Sequence, residues 1–278
     1  MKVTDKIHLL KIDFEIVLSP EKKVPRFVNI VIVFGEKITL IDSGVKGSEK
    51  IIFDYIKKNH RDFSEISQIF LSHSHPDHIG SAQKIKELTN CKVLAHKAEQ
   101  NWIENIELQN KERPVPGFFK LVDQPVKIDA FLDHRQTLTL DKDITVEIIH
   151  APGHSKGSLN FKFMQNNILF SADSIPLKGD IPNYDNYFDL YSSLENIKNE
   201  NYDILLTSWT PILKTKSEIE KIIIEGENYL KILDYIVKES YIGEEPEPLV
   251  FCKSAITKMK LPPFLVHPIV DKAFRSHF

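Results

Sequence analysis

The sequence predicts an α/β fold of layered sheets flanked by helices, followed by a helical C-terminal extension. Three observations carry that expectation. Short β-branched runs recur through the first three quarters of the chain, segments with helical spacing separate only some of them, and from Ser217 onward the apolar period is helical. A chain of 278 residues is long enough for one large domain with a well-buried core and a small appendage.

The strand candidates in order are residues 28–34, 38–41, 69–71, 93–95, 144–149 and 168–170. Each is short and bounded by Gly, Asp, Asn or Pro, as buried strands are. Helical spacing marks residues 47–59, with Ile51, Ile52, Tyr55 and Ile56 on one face, and residues 81–88. Gly35-Glu36 and Asp141-Lys142-Asp143 sit between adjacent apolar runs as hairpin turns do, which argues against a purely parallel, doubly wound sheet. From Ser217 to Tyr241, Ile219, Ile222, Ile223, Tyr229, Leu230, Leu233 and Ile236 recur at three- and four-residue steps. E-E-P-E-P at 244–248 then punctuates the chain, and 262–270 is a further apolar stretch. The expected division is a main domain of residues 1–216 and a helical extension of residues 217–278.

With 36 basic and 39 acidic residues, the net charge of -3 creates no field that would draw the protein to nucleic acid or anionic membrane. The N-terminus M-K-V-T-D-K-I-H has charges where a signal peptide has its apolar core, and no run approaches the roughly 18 apolar residues of a membrane span. A cytoplasmic protein away from the membrane is expected, with Cys91 and Cys252 as reduced, partly buried thiols.

Of 11 histidines, three fall within H-S-H-P-D-H, at His73, His75 and His78, with Asp77 among them. They follow the apolar I-F-L-S, so they belong on a loop leaving a strand, where polar side chains converge without entering the core. In an extended H-x-H pair both imidazoles project to the same side and can grip one ion. Four ligand-type side chains in six residues favour a metal over a merely polar turn. Two more segments place such groups just beyond strands. A-P-G-H-S-K-G-S at 151–158 carries His154, and L-F-S-A-D-S at 169–174 carries Asp173. Alone, the first reads as a turn histidine and the second as a capping or strand-terminal aspartate.

Together with L-I-D-S-G at 40–44, these segments resemble, in order and separation, the signature motifs of the metallo-β-lactamase superfamily. The similarity runs from about residue 5 to 215. It implies a four-layer αββα sandwich with a metal cleft at one edge of the paired sheets. It also implies that His73, His75 and His154 hold a first metal, that Asp77 and His78 face a second, and that Asp173 bridges both. Asp42 would brace the site from behind, or serve simply as the turn residue of D-S-G. Neutral nitrogen donors, His75 included, suit zinc, as one or two ions, with iron and manganese left open.

One departure stands out. Where two-metal members supply a further histidine after the last core strand, D-I-L-L-T-S-W-T-P at 203–211 places Trp209, whose indole N–H cannot ligate. The second ion would then have three protein ligands and a lower affinity. His267 and His277 lie downstream, and His267 is the candidate for a borrowed ligand.

The expected reaction is hydrolysis by hydroxide generated on the metal, with Asp77 as the catalytic acid–base. The leading substrate is a small ester, thioester or lactone. The alternatives are a phosphodiesterase or nuclease of the same superfamily, or a metal-binding module that has lost turnover. N-Y-D-N-Y-F-D-L-Y at 183–191 places Tyr184, Tyr187 and Phe188 near the cleft mouth as pocket candidates with Trp209, core packing being the competing account. The segment 111–135 is a candidate lid, in which His134 could reach substrate. The C-terminal helices offer a surface for a homodimer.

Overall fold

A computed structural model describes the chain apart from residues 20, 21, 123, 242 and 244–247, and describes the backbone alone at 18, 19 and 22. The E-E-P-E-P punctuation therefore lies, Pro248 excepted, outside the described residues.

The chain opens with two long antiparallel strands, β1 (Ile7–Ser19) and β2 (Lys22–Phe34), and turns at Gly35-Glu36 into β3 (Ile38–Ile41). Parallel crossovers then add β4 (Ile66–Phe70), β5 (Lys92–Ala95) and β6 (Ala130–Phe131), completing a six-stranded sheet in sequential order. The second sheet begins at the expected Asp141–Asp143 turn, which joins β7 (Thr137–Asp141) to β8 (Ile144–His150). β9 (Leu159–Phe163) and β10 (Ile168–Phe170) continue antiparallel, and β11 (Ile204–Leu206) adds parallel to β10.

Alternation along the strands decides the layering, because successive side chains point to opposite faces. In β2, Val31 and Val33 pack with Val146, Ile148, Phe161 and Phe170 of the second sheet, forming the core between the sheets. Ile30 and Ile32 face the other way, onto α1 (Ser48–Lys58) and α3 (Ala82–Thr89) through Ile52, Ile56 and Ile85. Behind the second sheet, Ile149, Leu169 and Leu205 meet α7 (Tyr187–Asn199). The same cluster takes in α8 (Lys216–Ser240), α9 (Val250–Lys258) and α10 (Pro268–Arg275). The result is the four-layer αββα sandwich, with the C-terminal helices thickening its outer layer. α8 starts at a capping box, in which the Thr215 hydroxyl accepts from Glu218 N–H and the Glu218 carboxylate reaches back to Thr215.

Of four short helices, α2 (Pro76–Ile79) and α6 (Phe118–Leu121) contribute to the wall of the cleft, while α4 (Gln100–Ile103) and α5 (Ile106–Glu112) follow β5 in the chain. Cys91 and Cys252 are both buried and are not joined in a disulfide. No helix among the described residues is long and apolar enough to cross a membrane.

Candidate metal centre

The loops leaving β4, β8 and β10 meet, and each delivers ligand-type side chains. His73 follows the buried Leu71-Ser72, and His75 caps α2, whose first residue, Pro76, has no N–H to leave unsatisfied there. That single helical turn holds Asp77 and His78 close behind. His154 leaves β8 through a turn that requires glycine. Gly153 has φ 123°, and a Cβ there would lie 2.1 Å from Leu190 N, so α7 could not approach as closely if any other residue stood there. Asp173 follows Ala172, a non-glycine residue held at φ 45°.

His73, His75, His154 and Asp173 offer ligand atoms that all lie within 4.8 Å of one another. His154 Nε2 is 2.8 Å from His75 Nδ1 and 3.3 Å from Asp173 Oδ2, and His73 Nε2 is 4.0 Å from that oxygen. Four donors around a tetrahedral zinc at bonds of about 2.0–2.1 Å would stand about 3.3 Å apart. His73 Nε2, His78 Nε2 and Asp173 Oδ1 are buried without hydrogen-bond partners, a costly arrangement unless a cation satisfies them. The donor set and the orphaned atoms fit a divalent metal.

Hydrogen bonds behind the ligands select their tautomers. His73 Nδ1 lies 2.9 Å from Ser72 Oγ, which donates at 2.8 Å to Asp42 Oδ2. His78 Nδ1 donates to the same carboxylate at 2.8 Å, and Ser72 N–H donates to its other oxygen at 2.7 Å. Donation from Nδ1 leaves the His73 Nε2 lone pair facing inward, and His78, its Nδ1 likewise committed, directs its Nε2 into the same space. Asp42 is thus the brace, held fully buried at φ 67°. On the expected second-metal side, His78 Nε2 lies 3.4 Å from Asp173 Oδ1 and 3.9 Å from Asp77 Oδ2.

Charge follows this geometry. Burial pushes the His73 and His75 pKa values well below the usual imidazole range and that of His154 to about 4, so all three are neutral and ready to ligate. Burial acts on His78 in the same sense, but the nearby Asp173, Asp42 and Asp77 outweigh it and hold that ring's pKa well above the ordinary value. Burial would raise Asp173, yet His78 and His154 keep it well below the carboxylate range. For Asp77 burial prevails over His78, and its pKa is raised.

Two groups at the site carry no signal in the sequence motifs. Glu99, buried at 3% exposure, accepts from Ser74 N–H at 2.9 Å, Ser155 Oγ at 2.8 Å and Gly157 N–H at 2.5 Å. One carboxylate therefore ties the His73–His75 loop to the His154 loop. Gln109 Nε2 holds the opposite side of Ser74 through its carbonyl at 2.6 Å. Arg113, also buried, lines the cavity beside the cluster.

That cavity, about 560 Å³, is mostly apolar and opens onto His75, Asp77, His154 and Asp173. Of the expected pocket residues, Tyr184 and Trp209 line it. Tyr184 Oη is engaged 2.7 Å from His277 Nε2, while the Trp209 ring lies 6.4 Å from that of His78 and carries the Arg26 guanidinium at 4.7 Å. Tyr187 and Phe188 fall outside the lining. Asn186 caps α7, and the helical turn it starts sends Tyr187 inward to stack on His277 at 4.1 Å and leaves Phe188 52% exposed. His277 is a packing histidine, also paired 2.9 Å from Asp234. His267 lines the cavity but caps α10 and stands outside the four-ligand group. His134 is exposed and accepts from His150 N–H. Of the candidate lid, Arg113, Val115, Pro116 and Leu121 line the cavity, and residues 130–131 form the edge strand β6.

A sequence model described as the metallo-beta-lactamase superfamily matches residues 24–209, more than half of the chain. Uncharacterized Mycobacterium tuberculosis proteins are 32% identical over 120 residues, or 38% of this chain and 50% of theirs, so the chain spans about half the length of these relatives. A Methanocaldococcus jannaschii protein named "probable metallo-hydrolase" is 29% identical over 180 residues, 62% of this chain and 82% of that one. A hydroxyacylglutathione hydrolase of Hyphomonas neptunium is 30% identical over 110 residues, 40% of this chain and 34% of its own. Among solved structures, a metallo-beta-lactamase family protein of Thermus thermophilus superposes with a TM-score of 0.73, covering 99% of this chain and 93% of that one at 15% identity, a likeness of fold. With the superfamily signature running through both sheets and its ligand motifs converging on one buried cluster, this chain belongs to the metallo-β-lactamase superfamily.

Proposed function

We propose that this protein is a zinc-dependent hydrolase of a small ester, thioester or lactone with an apolar body. The carrying observation is a group of four His and Asp ligand atoms, some without any other partner, of which those of His75, His154 and Asp173 open onto a mostly apolar cavity of about 560 Å³. Three neutral imidazoles and one carboxylate suit zinc. When bound, the ion supplies Lewis acidity and lowers the pKa of water to about 7.

The rest of the chemistry belongs to the chain. Asp77 lines the cavity beside the ligands, and its raised pKa suits a group that takes a proton from the attacking water and returns it to the leaving group. The apolar walls exclude water and hold the acyl body, which supports an acyl substrate over the highly charged backbone of a nucleic acid. The hydroxyacylglutathione hydrolase relative supports a thioester within that class.

The test is a panel of thioesters, lactones and bis-phosphoesters offered to the zinc-loaded protein. One acyl class should turn over, and Asp77→Asn should lower kcat by about 10²- to 10⁴-fold. Turnover of phosphodiesters alone would replace the reading with its phosphodiesterase alternative. Tight metal binding without turnover of any class would make the protein a binding module.

A further inference from the structure

The arginines of this chain divide sharply. Arg26 pairs with Asp180, Arg61 with Glu65, Arg135 with Glu147 and Glu200, and Arg275 with Asp271. These four side chains are partly to largely exposed, at 26–49%, where an ion pair matters little. Arg113 is only 7% exposed, and no carboxylate among the described residues forms an ion pair with it. Its one side-chain hydrogen bond among the described residues runs from Nη2 to the neutral Asn183 Oδ1 at 2.6 Å.

A guanidinium carries five N–H donors in a planar fork, and burying it unpaired is among the more expensive things a fold can do. The acids around it are already committed. Asp185 binds Lys272 Nζ at 2.9 Å, Glu99 ties the two ligand loops together, and Asp173 belongs to the metal cluster. Asp77 is the remaining neighbour, and it faces the cavity as Arg113 does. The fork thus stands at the wall of the apolar chamber onto which the ligand cluster also opens, with most of its donors unused by the described residues.

We propose that Arg113 is a specificity-determining residue that binds a planar oxyanion, a carboxylate, on the substrate. The substrate is then an amphipathic acid, with its apolar body in the cavity, its scissile acyl carbon at the His73–His75–His154 cluster and its carboxylate on the Arg113 fork. Bidentate pairing of guanidinium with carboxylate is what that fork is shaped for. The assignment of an acyl substrate rests on the hydrolase reading above, whereas the anion subsite stands on the cavity and the unpaired guanidinium.

Two measurements on the metal-loaded, full-length protein separate the two ideas. In the first, kcat/KM is compared for para-nitrophenyl octanoate and for the matched para-nitrophenyl monoester of octanedioic acid. The acid-bearing ester should be preferred by about tenfold or more, and Arg113→Gln should bring the ratio close to one. In the second, octanesulfonate and octanol are titrated by calorimetry, which needs no turnover and uses an anion that ligates metals poorly. The sulfonate should bind about tenfold or more tightly than the alcohol, and the variant should erase the difference. Arg113→Met, apolar and of similar length, serves if the Gln variant does not fold. Sulfonate preference without hydrolysis of either ester would uphold the subsite and remove the ester branch of the hydrolase reading. No preference in either assay, or one that survives both substitutions, overturns the proposal.

Discussion

Replacing Glu99 by Gln leaves the side chain its shape and turns one acceptor oxygen into a donor. Its two oxygens serve different loops, one taking Ser74 N–H and the other Ser155 Oγ and Gly157 N–H. Whichever way the amide turns, its NH₂ meets a backbone N–H that has no alternative partner. One buried donor left unsatisfied costs about 1–3 kcal/mol, and the surviving bonds weaken as the acceptor loses its charge. A total of about 2–4 kcal/mol follows, large for a single isosteric change. Ser74 separates His73 from His75, and Ser155 adjoins His154, so the ligands lose register as well, and metal affinity should fall about 10- to 100-fold. Urea unfolding of the metal-free protein reads the first quantity, and competition with a chromophoric chelator reads the second. A variant within about 0.5 kcal/mol of wild type and of unchanged metal affinity would refute the idea that Glu99 couples the two loops.

Acid should destabilise the metal-free protein. Burial holds the folded pKa of His154 at about 4, against 6.5 for an imidazole in the unfolded chain. The unfolded state therefore binds more protons between those values, and stability falls as pH drops through that window, by about 3 kcal/mol for this ring alone. His73 and His75 act in the same direction. His78 opposes them, because its raised pKa contributes stability that is present below 6.5 and lost as pH rises through the folded value. Three rings against one should give a lower urea midpoint at pH 5 than at pH 7, and an equal or higher midpoint would contradict the charge states of these four rings. Trp209→His should bring an imidazole near His78 and raise the metal stoichiometry from one to two. An unchanged count would show that Trp209 does not occupy the missing ligand's place.

Legibility in the sequence depends on whether the relevant residues are neighbours along the chain. His73, His75, Asp77 and His78 fall within one loop, and His154 and Asp173 directly follow apolar strands, so their convergence is legible once the strands are. The layering is legible for the same reason, because alternation and hairpin turns are local. β1 is harder to see, because its apolar residues alternate with Lys11, Asp13 and Glu15 on a partly exposed sheet edge. Glu99 sits in K-A-E-Q, which looks like any solvated helix start, and only the fold brings it to Ser74 and Gly157. Arg113 is visible as part of a candidate lid, but its lack of a carboxylate partner is a tertiary fact. Tyr187 and Phe188 show the converse, a local run that leaves pocket wall and core packing both open. An aromatic run after Asp173 suggests a pocket wall, yet the Asn186 cap starts a helix there, and helical periodicity divides the pair between core and solvent.

Metal content of the purified full-length chain, with identity and stoichiometry determined together by elemental analysis, tests the centre most directly. One zinc ion per chain is expected, lost in His73→Ala and in His154→Ala while the fold persists by circular dichroism. Protein that binds no divalent ion tightly, or that keeps its ion undiminished in both variants, would contradict the assignment of the His73, His75, His154 and Asp173 cluster as a metal centre.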